Sequence, residues 1–302
     1  MKTLYALILA VLMLTSSALA QDASKTVAAE YPFLSSGALG SATLSALPKG
    51  IILRSGELTL TQKDLDAEIR KSPESMRPQL KQNLFFVLEN KTTQTLFTWE
   101  ALSWAKTQKT APKDEDSLIR AYFESITSGV SVNDEELKNF FAANKDMIGD
   151  ATFDQTKDQL KDYVLEQKRS NAAQARINSL SERYEVELDK NWVAKQNSAA
   201  MNNPVDKARK SGKPSLVDFG ADGCRPCDML APILESLKKQ YAGKLNVLFV
   251  HVRKEEILAA RYGVQSIPVQ VFYDKDGKEV FRHVGFFAKE KIEAKLAEMG
   301  VK

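Results

Sequence analysis

The chain contains two cysteines, Cys224 and Cys227, and only Arg225 and Pro226 separate them. A short apolar strand pattern precedes the pair and a helical pattern follows it, so Cys224 is expected at a helix N-terminus. Unpaired backbone N–H groups and the helix dipole favour an anion there, and Arg225 adds a positive charge. Such surroundings lower the pKa of a thiol to roughly 3.5–7.5. The spacing therefore predicts a thiolate at Cys224 that attacks a disulfide, and a resolving thiol at Cys227.

A structural disulfide and a metal site compete with redox chemistry as roles for the cysteine pair. A disulfide that closes so short a loop removes little entropy from the unfolded chain, so a purely structural bridge would contribute little stability. A zinc site needs four ligands as a rule, and the two histidines, His251 and His283, lie far along the chain without ligand spacing. Redox chemistry is favoured over both, and neither a metal nor a cofactor is expected.

Strand and helix patterns alternate beyond residue 203, which is typical of an α/β domain. The expected strands are Leu216–Phe219, Leu245–Val252, Val269–Tyr273 and Lys278–Val284. The second of these is apolar enough to be a central strand, and a hairpin turn connects the last two. Apolar residues from Met229 to Leu237 mark one face of a helix after the cysteines. An amphipathic helix is expected at the end of the chain.

Further motifs accompany the cysteine pair between residues 206 and 302. They are Val217-Asp218-Phe219 before the pair, Pro232 after it, Tyr262-Gly263-Val264-Gln265-Ser266-Ile267-Pro268, and Val284-Gly285. Together with the cysteines, these motifs resemble the thioredoxin family. The resemblance implies a thioredoxin fold for this region and the activity of a thiol–disulfide oxidoreductase.

The resemblance also implies roles for individual residues around the cysteines. Pro268 is expected to be a cis-proline that faces the two sulfurs, and substrate backbone is expected to pair beside Ile267. Arg225 and Pro226, between the cysteines, are expected in the same substrate site. Without the resemblance, a trans proline at the start of a strand would be a reasonable interpretation of Pro268.

Asp218 would be, by the same resemblance, the buried acid behind Cys227 that accepts or supplies its proton. Burial raises the pKa of a carboxyl group, which suits proton transfer near neutral pH. A solvated aspartate at a strand end is the alternative. The chain also departs from the family, which commonly has tryptophans where Gly220 and Gly223 stand, so a more open and less aromatic site is expected. No lysine in Leu245–Val252 can partner Asp218.

The first 48 residues show two compositional segments. Residues 1–20 have the pattern of a signal peptide, with Lys2, an apolar run from Leu4 to Leu14 and a small-residue cleavage site at Ala18-Leu19-Ala20. An uncleaved membrane anchor is the alternative, although the run is shorter than the about 20 residues that span a bilayer. Residues 21–48 are rich in Ser, Ala, Thr and Gly and are expected to be a flexible leader. The mature protein is expected in the periplasm.

Residues 49–195 are predicted to form a mainly helical domain with strong capping patterns. The stretches Leu58-Thr59-Leu60-Thr61-Gln62-Lys63-Asp64-Leu65, Val132-Asn133-Asp134-Glu135-Glu136-Leu137, and 153–168 leading into 184–188 resemble the N-terminal chaperone domain of SurA-type periplasmic proteins. No segment resembles the parvulin domain that often follows, so prolyl isomerase activity is not implied. A generic helical adaptor without a peptide-binding role is the alternative. Residues 191–203 are expected to be the linker to a thioredoxin-like domain at 196–302.

The net charge is +3 and basic residues do not cluster with aromatics, so nucleic acid is not an expected partner. The expected function is reduction or isomerisation of disulfides in exported proteins, with the helical domain holding these clients. The resemblance to exported thioredoxins implies a membrane electron donor of the cytochrome-biogenesis transporter type. Two alternatives stay open: a dithiol oxidase that installs disulfides, and a holdase chaperone whose thioredoxin domain only recognises peptide.

Overall fold

The structure is a computed structural model that describes residues 25–35 and 37–302. The predicted signal peptide at 1–20 and residues 21–24 of the predicted leader lie outside the described residues. None of the helices in the described ranges has both the length and the apolar character that a membrane crossing requires.

Residues 25–203 form a mainly helical part around a small sheet. Its strands are β1 (Thr43–Ser45), β2 (Ile51–Ser55), β3 (Leu58–Thr61) and β4 (Glu187–Asp189). Its α-helices are α1 (Val27–Glu30), α2 (Gln62–Lys71), α3 (Arg77–Gln82), α4 (Leu84–Ala105), α5 (Glu115–Thr127), α6 (Asp134–Ala143), α7 (Lys145–Ile148), α8 (Phe153–Asn178), α9 (Leu180–Arg183) and α10 (Lys190–Ala200). The strands follow the order β1-β4-β2-β3, so β4 lies inside the sheet.

Three helices of this part begin where the sequence predicts. Thr61 caps α2, Asn133 caps α6 and Thr152 caps α8, and in each case the residue three positions later returns a hydrogen bond to the cap. Each such capping box satisfies backbone N–H groups that have no partner inside the helix. These starts depend on neighbouring residues alone, which is why the sequence predicts them.

Residues 25–48 pack into the core of the helical part, contrary to the predicted flexible leader. Val27, Leu39 and Ala42 are completely buried, and β1 pairs with β4. The buried carboxylate of Glu89 on α4 accepts hydrogen bonds from the backbone N–H groups of Gly37, at 3.2 Å, and Leu39, at 3.0 Å. Small residues are common here because the backbone packs closely against α4. Flexible segments are also rich in small residues, so the composition alone suggested flexibility.

Residues 204–302 form a second sheet with helices on both faces. Its elements are α11 (Pro204–Arg209), β5 (Ser215–Gly220), α12 (Arg225–Gln240), β6 (Asn246–His251), α13 (Glu256–Arg261), β7 (Val269–Tyr273), β8 (Glu279–Val284) and α14 (Lys289–Glu298). The strand order is β6-β5-β7-β8, with β5 and β6 parallel and the other pairs antiparallel. The prediction that β6 is central was therefore wrong, because one of its edges is unpaired and part of its apolar surface faces solvent.

Strand β5 is buried along its whole length, and its alternating side chains separate the two cores of this sheet. Leu216 packs with residues of α12 and α14 on one face. Val217 and Phe219 pack with residues of α11 and α13 on the other face. Because β5 is fixed from both faces, the residues at its end have a fixed position at the start of α12.

The predicted linker at 191–203 is mostly the helix α10, and the predicted boundary at 195/196 falls inside it. The two parts are in contact rather than loosely tethered. The Arg261 guanidinium donates to the Ala200 carbonyl at 3.0 Å and to Asn83 Oδ1 at 3.4 Å. Gln79 donates to the Lys254 carbonyl at 2.9 Å, and Ile257 is buried in the core of the helical part. The sequence of α10 is polar and contains alanines, so it was interpreted as a linker. One face of this helix is buried against its neighbours.

The packing of residues 25–48 predicts the effect of one substitution. Leu39 is 0% exposed, so Leu39→Ala should lower the free energy of unfolding by about 2–5 kcal/mol. Leu102 on α4 is 47% exposed, and Leu102→Ala, the matched control, should change it by less than about 0.5 kcal/mol. Urea denaturation of both variants measures the difference. A midpoint for Leu39→Ala equal to that of the parent would mean that this segment is flexible after all.

Candidate active site

The two cysteines lie where β5 gives way to α12. Cys224 is the N-cap of α12, and its sulfur accepts a hydrogen bond from the backbone N–H of Cys227 at 3.4 Å. Cys227 lies in the first turn and is buried, whereas Cys224 is partly exposed. The structure has the two sulfurs joined in a disulfide. The accessible sulfur is thus the one that sits at the positive end of the helix dipole, as the sequence predicts.

Two charged residues, Asp222 and Arg225, lie close to Cys224 in the sequence, and they differ in their contacts. Arg225 is exposed and has no hydrogen bond or ion pair with any part of the chain that the structure describes. Asp222 instead contacts His251, with the carboxylate 3.0 Å from Nε2, and this hydrogen bond lowers the pKa of Asp222. Asp222 is therefore held by β6 and does not neutralise Arg225, so the positive charge beside Cys224 is retained.

The peptide bond between Ile267 and Pro268 is cis, as the resemblance implied. Pro268 is buried, and its carbonyl accepts a hydrogen bond from the Gly285 N–H at 2.8 Å, which fixes the loop against the end of β8. The backbone N–H and carbonyl of Ile267 have no hydrogen-bond partner within the described chain. These free groups are what an extended substrate segment would need in order to pair beside Ile267.

Asp218 is completely buried on β5, two residues before Gly220. Residues two apart on a strand face the same way, so the Asp218 carboxyl points to the side of the sheet where the Cys227 sulfur lies against Gly220. Burial raises the pKa of Asp218 from 3.8 to about 6. The carboxyl atom Oδ2 has no hydrogen-bond partner among the residues that the structure describes. A carboxyl group with this pKa and a free oxygen can exchange a proton near neutral pH.

Among the described residues, Gln270 makes the one polar contact of the Asp218 side chain, and the sequence analysis missed it. Its side-chain amide is completely buried on β7, directly opposite Asp218, and donates to Oδ1 at 2.7 Å. This bond stabilises the ionised carboxyl and so opposes the effect of burial on the pKa. A glutamine in the otherwise apolar run Val269–Tyr273 was the available signal, because a buried amide requires a partner.

On β6 the residue next to Asp218 is Phe249, so an aromatic ring stands where a lysine would have placed a positive charge beside the carboxyl. The two residues are opposite each other in the register of β5 and β6. A Cβ atom added to Gly220 would lie 2.9 Å from the Phe249 ring and 3.3 Å from the Cys227 sulfur. Because Phe249 fills the space that a larger residue at position 220 would take, the site is more aromatic than predicted there. It remains open beside Gly223, where nothing lies within 4 Å of an added Cβ.

Arg225 and Pro226, the residues between the cysteines, form the start of α12. Pro226 is the second residue of the helix, where its missing N–H leaves no helical hydrogen bond unmade. The described residues contain no group of three or more His, Cys, Asp or Glu side chains placed to hold a metal ion. The sequence-predicted residues of the site thus meet at one end of the second sheet, around the cysteine pair and the cis-proline loop.

Burial of Asp218 predicts a pH-dependent gain in stability on its replacement. The raised pKa means that folding favours the protonated carboxyl, so the folded state is penalised as the pH rises from 3.8 through about 6. Two pKa units correspond to about 3 kcal/mol. Asp218→Asn should therefore raise the free energy of unfolding by about that amount at pH 8 and by little below pH 4. Denaturant unfolding of the oxidised protein across this range tests it; parallel curves for parent and variant would contradict it.

The second part of the chain matches known proteins. A family model described as a thioredoxin-like domain matches residues 201–300. A thioredoxin from Alicyclobacillus acidocaldarius is 37% identical over 93 residues, which cover 31% of this chain and 88% of that protein. A thioredoxin from Staphylococcus aureus is 46% identical over 77 residues, covering 26% and 73% respectively. A solved structure of a mutant thioredoxin from Halobacterium salinarum is 30% identical, covers 32% of this chain and 83% of that one, and has a TM-score of 0.30.

The matched range contains the cysteine pair at the start of α12, the buried aspartate and the cis-proline. Both thioredoxins are matched over more than two thirds of their own length. The chain therefore belongs to the thioredoxin family and is a disulfide oxidoreductase.

Proposed function

We propose that this oxidoreductase works in the periplasm, where it reduces or isomerises disulfides in exported proteins. The observation that carries the proposal is the placement of Cys224, partly exposed at the N-terminus of α12, above a buried Cys227 and a buried Asp218. The location follows from the signal-peptide pattern of residues 1–20. The residues for attack, resolution and proton transfer are all present at one site.

The reaction consists of two exchanges of sulfur bonds. The Cys224 thiolate attacks one sulfur of a client disulfide, the bond between the two client sulfurs breaks, and the released client thiolate takes a proton from solvent. Cys227 then gives its proton to Asp218 and attacks the Cys224 sulfur. The mixed disulfide breaks and the second client sulfur leaves. Two electrons have moved to the client, and the protein holds the Cys224–Cys227 disulfide that the structure contains.

The groups around Cys224 favour reduction of clients over their oxidation. A strong dithiol oxidant owes its high potential to extra stabilisation of its reduced form. Here the stabilising groups are the helix N-terminus and the exposed Arg225. The histidines are bound elsewhere, His251 to Asp222 and His283 to the Phe286 carbonyl. The stabilisation of the thiolate is therefore moderate, which suits a reductant.

Two partners complete the proposal. A reductant in an oxidising compartment has to be reduced again, and a membrane electron donor of the cytochrome-biogenesis transporter type would do so by the same exchange at Cys224. The helical part, which resembles a SurA-type chaperone domain, would hold unfolded clients next to the redox site. Its direct contacts with the second part, through Gln79 and Asn83, support this role because they keep the two parts adjacent.

The proposed direction predicts a reduction potential nearer to about −270 mV, typical of a reductant, than to about −120 mV, typical of a strong oxidant. Equilibration with dithiothreitol or glutathione buffers measures it. The reduced protein should also reduce insulin, and Cys224→Ser should abolish this activity. Cys227→Ser, the matched control, should still form mixed disulfides with a client but fail to release them.

A potential near −120 mV would instead support the dithiol oxidase. Failure of the parent to reduce insulin, together with full protection of an aggregating protein by Cys224→Ser, would support the holdase chaperone.

The hydrogen bond from Gln270 predicts a change in the pH dependence of the resolving step. Gln270→Met keeps the length of the side chain but removes the donor to Asp218, so the pKa of Asp218 should rise above its value of about 6. Release of client from the mixed disulfide should then need a higher pH. Carboxyl carbon NMR of Asp218 and single-turnover rates between pH 5 and 8 give two independent readouts. If the Asp218 carboxyl carbon titrates with the same midpoint pH in Gln270→Met and in the parent, this role for Gln270 is excluded.

A further inference from the structure

A cleft of about 780 Å³ separates α8 of the helical part from the segment that leads to the cis-proline. Tyr163, Gln167 and Asn171 line it from α8, and Gln265 and Ser266 line it from the opposite side. Its size is in the range of clefts that bind ligands in other proteins. The lining on that side ends at Ser266, the residue directly before Ile267 and the cis-proline Pro268.

The walls of the cleft carry polar groups that are free to bind a ligand. The side chains of Gln167 and Asn171 have no hydrogen-bond partner in the described part of the chain, and the same holds for Gln265 and Ser266. Positions 167 and 171 are one turn apart, so they lie on the same face of α8. Carboxamides can both donate to and accept from peptide groups. The two walls therefore offer hydrogen bonds to a polypeptide main chain.

The charged residues of the cleft are largely paired with one another. Arg282 donates to both carboxylate oxygens of Glu279, each at 2.8 Å. Arg209 and Arg261 both face the buried Asp206, at 3.5 and 3.4 Å. Glu166 also lines the cleft, so three guanidinium groups are matched by the carboxylates of Glu279, Asp206 and Glu166 and the cleft has little net charge. Its chemistry matches neutral peptide groups better than a phosphate or a carboxylate.

Arg209 and Phe33, which both line the cleft, are in contact with each other. The Arg209 guanidinium lies over the Phe33 ring, with 3.9 Å from Cζ to the ring centroid, and so joins the second part of the protein to residues before β1. Arg209 also donates to the Gly277 carbonyl at 2.9 Å. A preformed cleft loses little conformational entropy when a ligand enters it.

We propose that this cleft binds an extended segment of the unfolded client whose disulfide is being attacked at Cys224. The segment would pair with the free backbone groups of Ile267 and continue between α8 and the Gln265–Ser266 loop. Tyr163, which is 48% exposed, offers an aromatic surface to its side chains. This inference rests on the proposed function and adds the site at which clients are recognised, independent of their sequence.

A kinetic comparison of two disulfide substrates tests the cleft. The double variant Gln167→Ala with Asn171→Ala should raise KM for scrambled ribonuclease, an unfolded protein with mispaired disulfides, by about tenfold through the loss of two hydrogen bonds. KM for oxidised glutathione, a disulfide without an unfolded polypeptide segment, should not change. Gln159→Ala, at an exposed position of α8 outside the cleft, should leave both KM values as in the parent.

Photo-crosslinking adds a direct readout on the full-length protein. A benzoylphenylalanine at position 171 in Cys227→Ser should crosslink to a cysteine-containing unfolded peptide that is trapped on Cys224, and the same group at position 159 should not. Equal KM values for the double variant and parent, or crosslinks only between two copies of this chain, would overturn the cleft while leaving the redox function intact. A parent that reduces neither substrate would overturn both.

Discussion

Stabilisation of the Cys224 sulfur by the N-terminus of α12 is the interaction on which the rest of the site depends. The backbone N–H of Cys227 points at this sulfur, and the helix dipole favours its thiolate. The position of that helix end is fixed by β5, which is buried from both faces. The packing on both faces of β5 thus fixes the Cys224 sulfur at a partly exposed position. The second sulfur, that of Cys227, is buried in the same turn. In the proposed reaction its target is the mixed disulfide at Cys224.

Asp218, the proposed proton acceptor of Cys227, has unusual neighbours for a buried carboxyl. An ionised carboxylate without a partner is costly to bury, and a cation would lower its pKa far below neutral. In this protein Phe249 and Gln270 flank Asp218 on the neighbouring strands. The phenyl ring offers neither a charge nor a hydrogen bond, while the amide donates one hydrogen bond to the ionised form. Burial raises the pKa and this hydrogen bond lowers it, which places the pKa at about 6.

Features that depend on neighbouring residues were predictable from the sequence, whereas features that depend on packing between distant segments were not. The capping boxes at Thr61, Asn133 and Thr152 and the helix start at Cys224 belong to the first kind. The pairing of Gln270 with Asp218 required the register of β5 and β7, which no local pattern encodes. Residues 25–48 and the helix α10 were mistaken for flexible segments for a related reason. Small and polar residues occur both in disordered chains and in backbone that packs closely against a helix, and composition does not separate the two.

In the proposed function, the contacts between the two parts restrict how the helical part acts on a client. A module on a flexible linker raises the local concentration of its client at any angle of approach. Here Arg261, Gln79 and the stacked pair of Arg209 and Phe33 hold the parts in one arrangement. Only a client that is extended enough to lie along α8 and still present a disulfide to Cys224 can use both surfaces at once. The fixed geometry itself would then direct reduction to unfolded or misfolded chains, without any need to recognise a sequence.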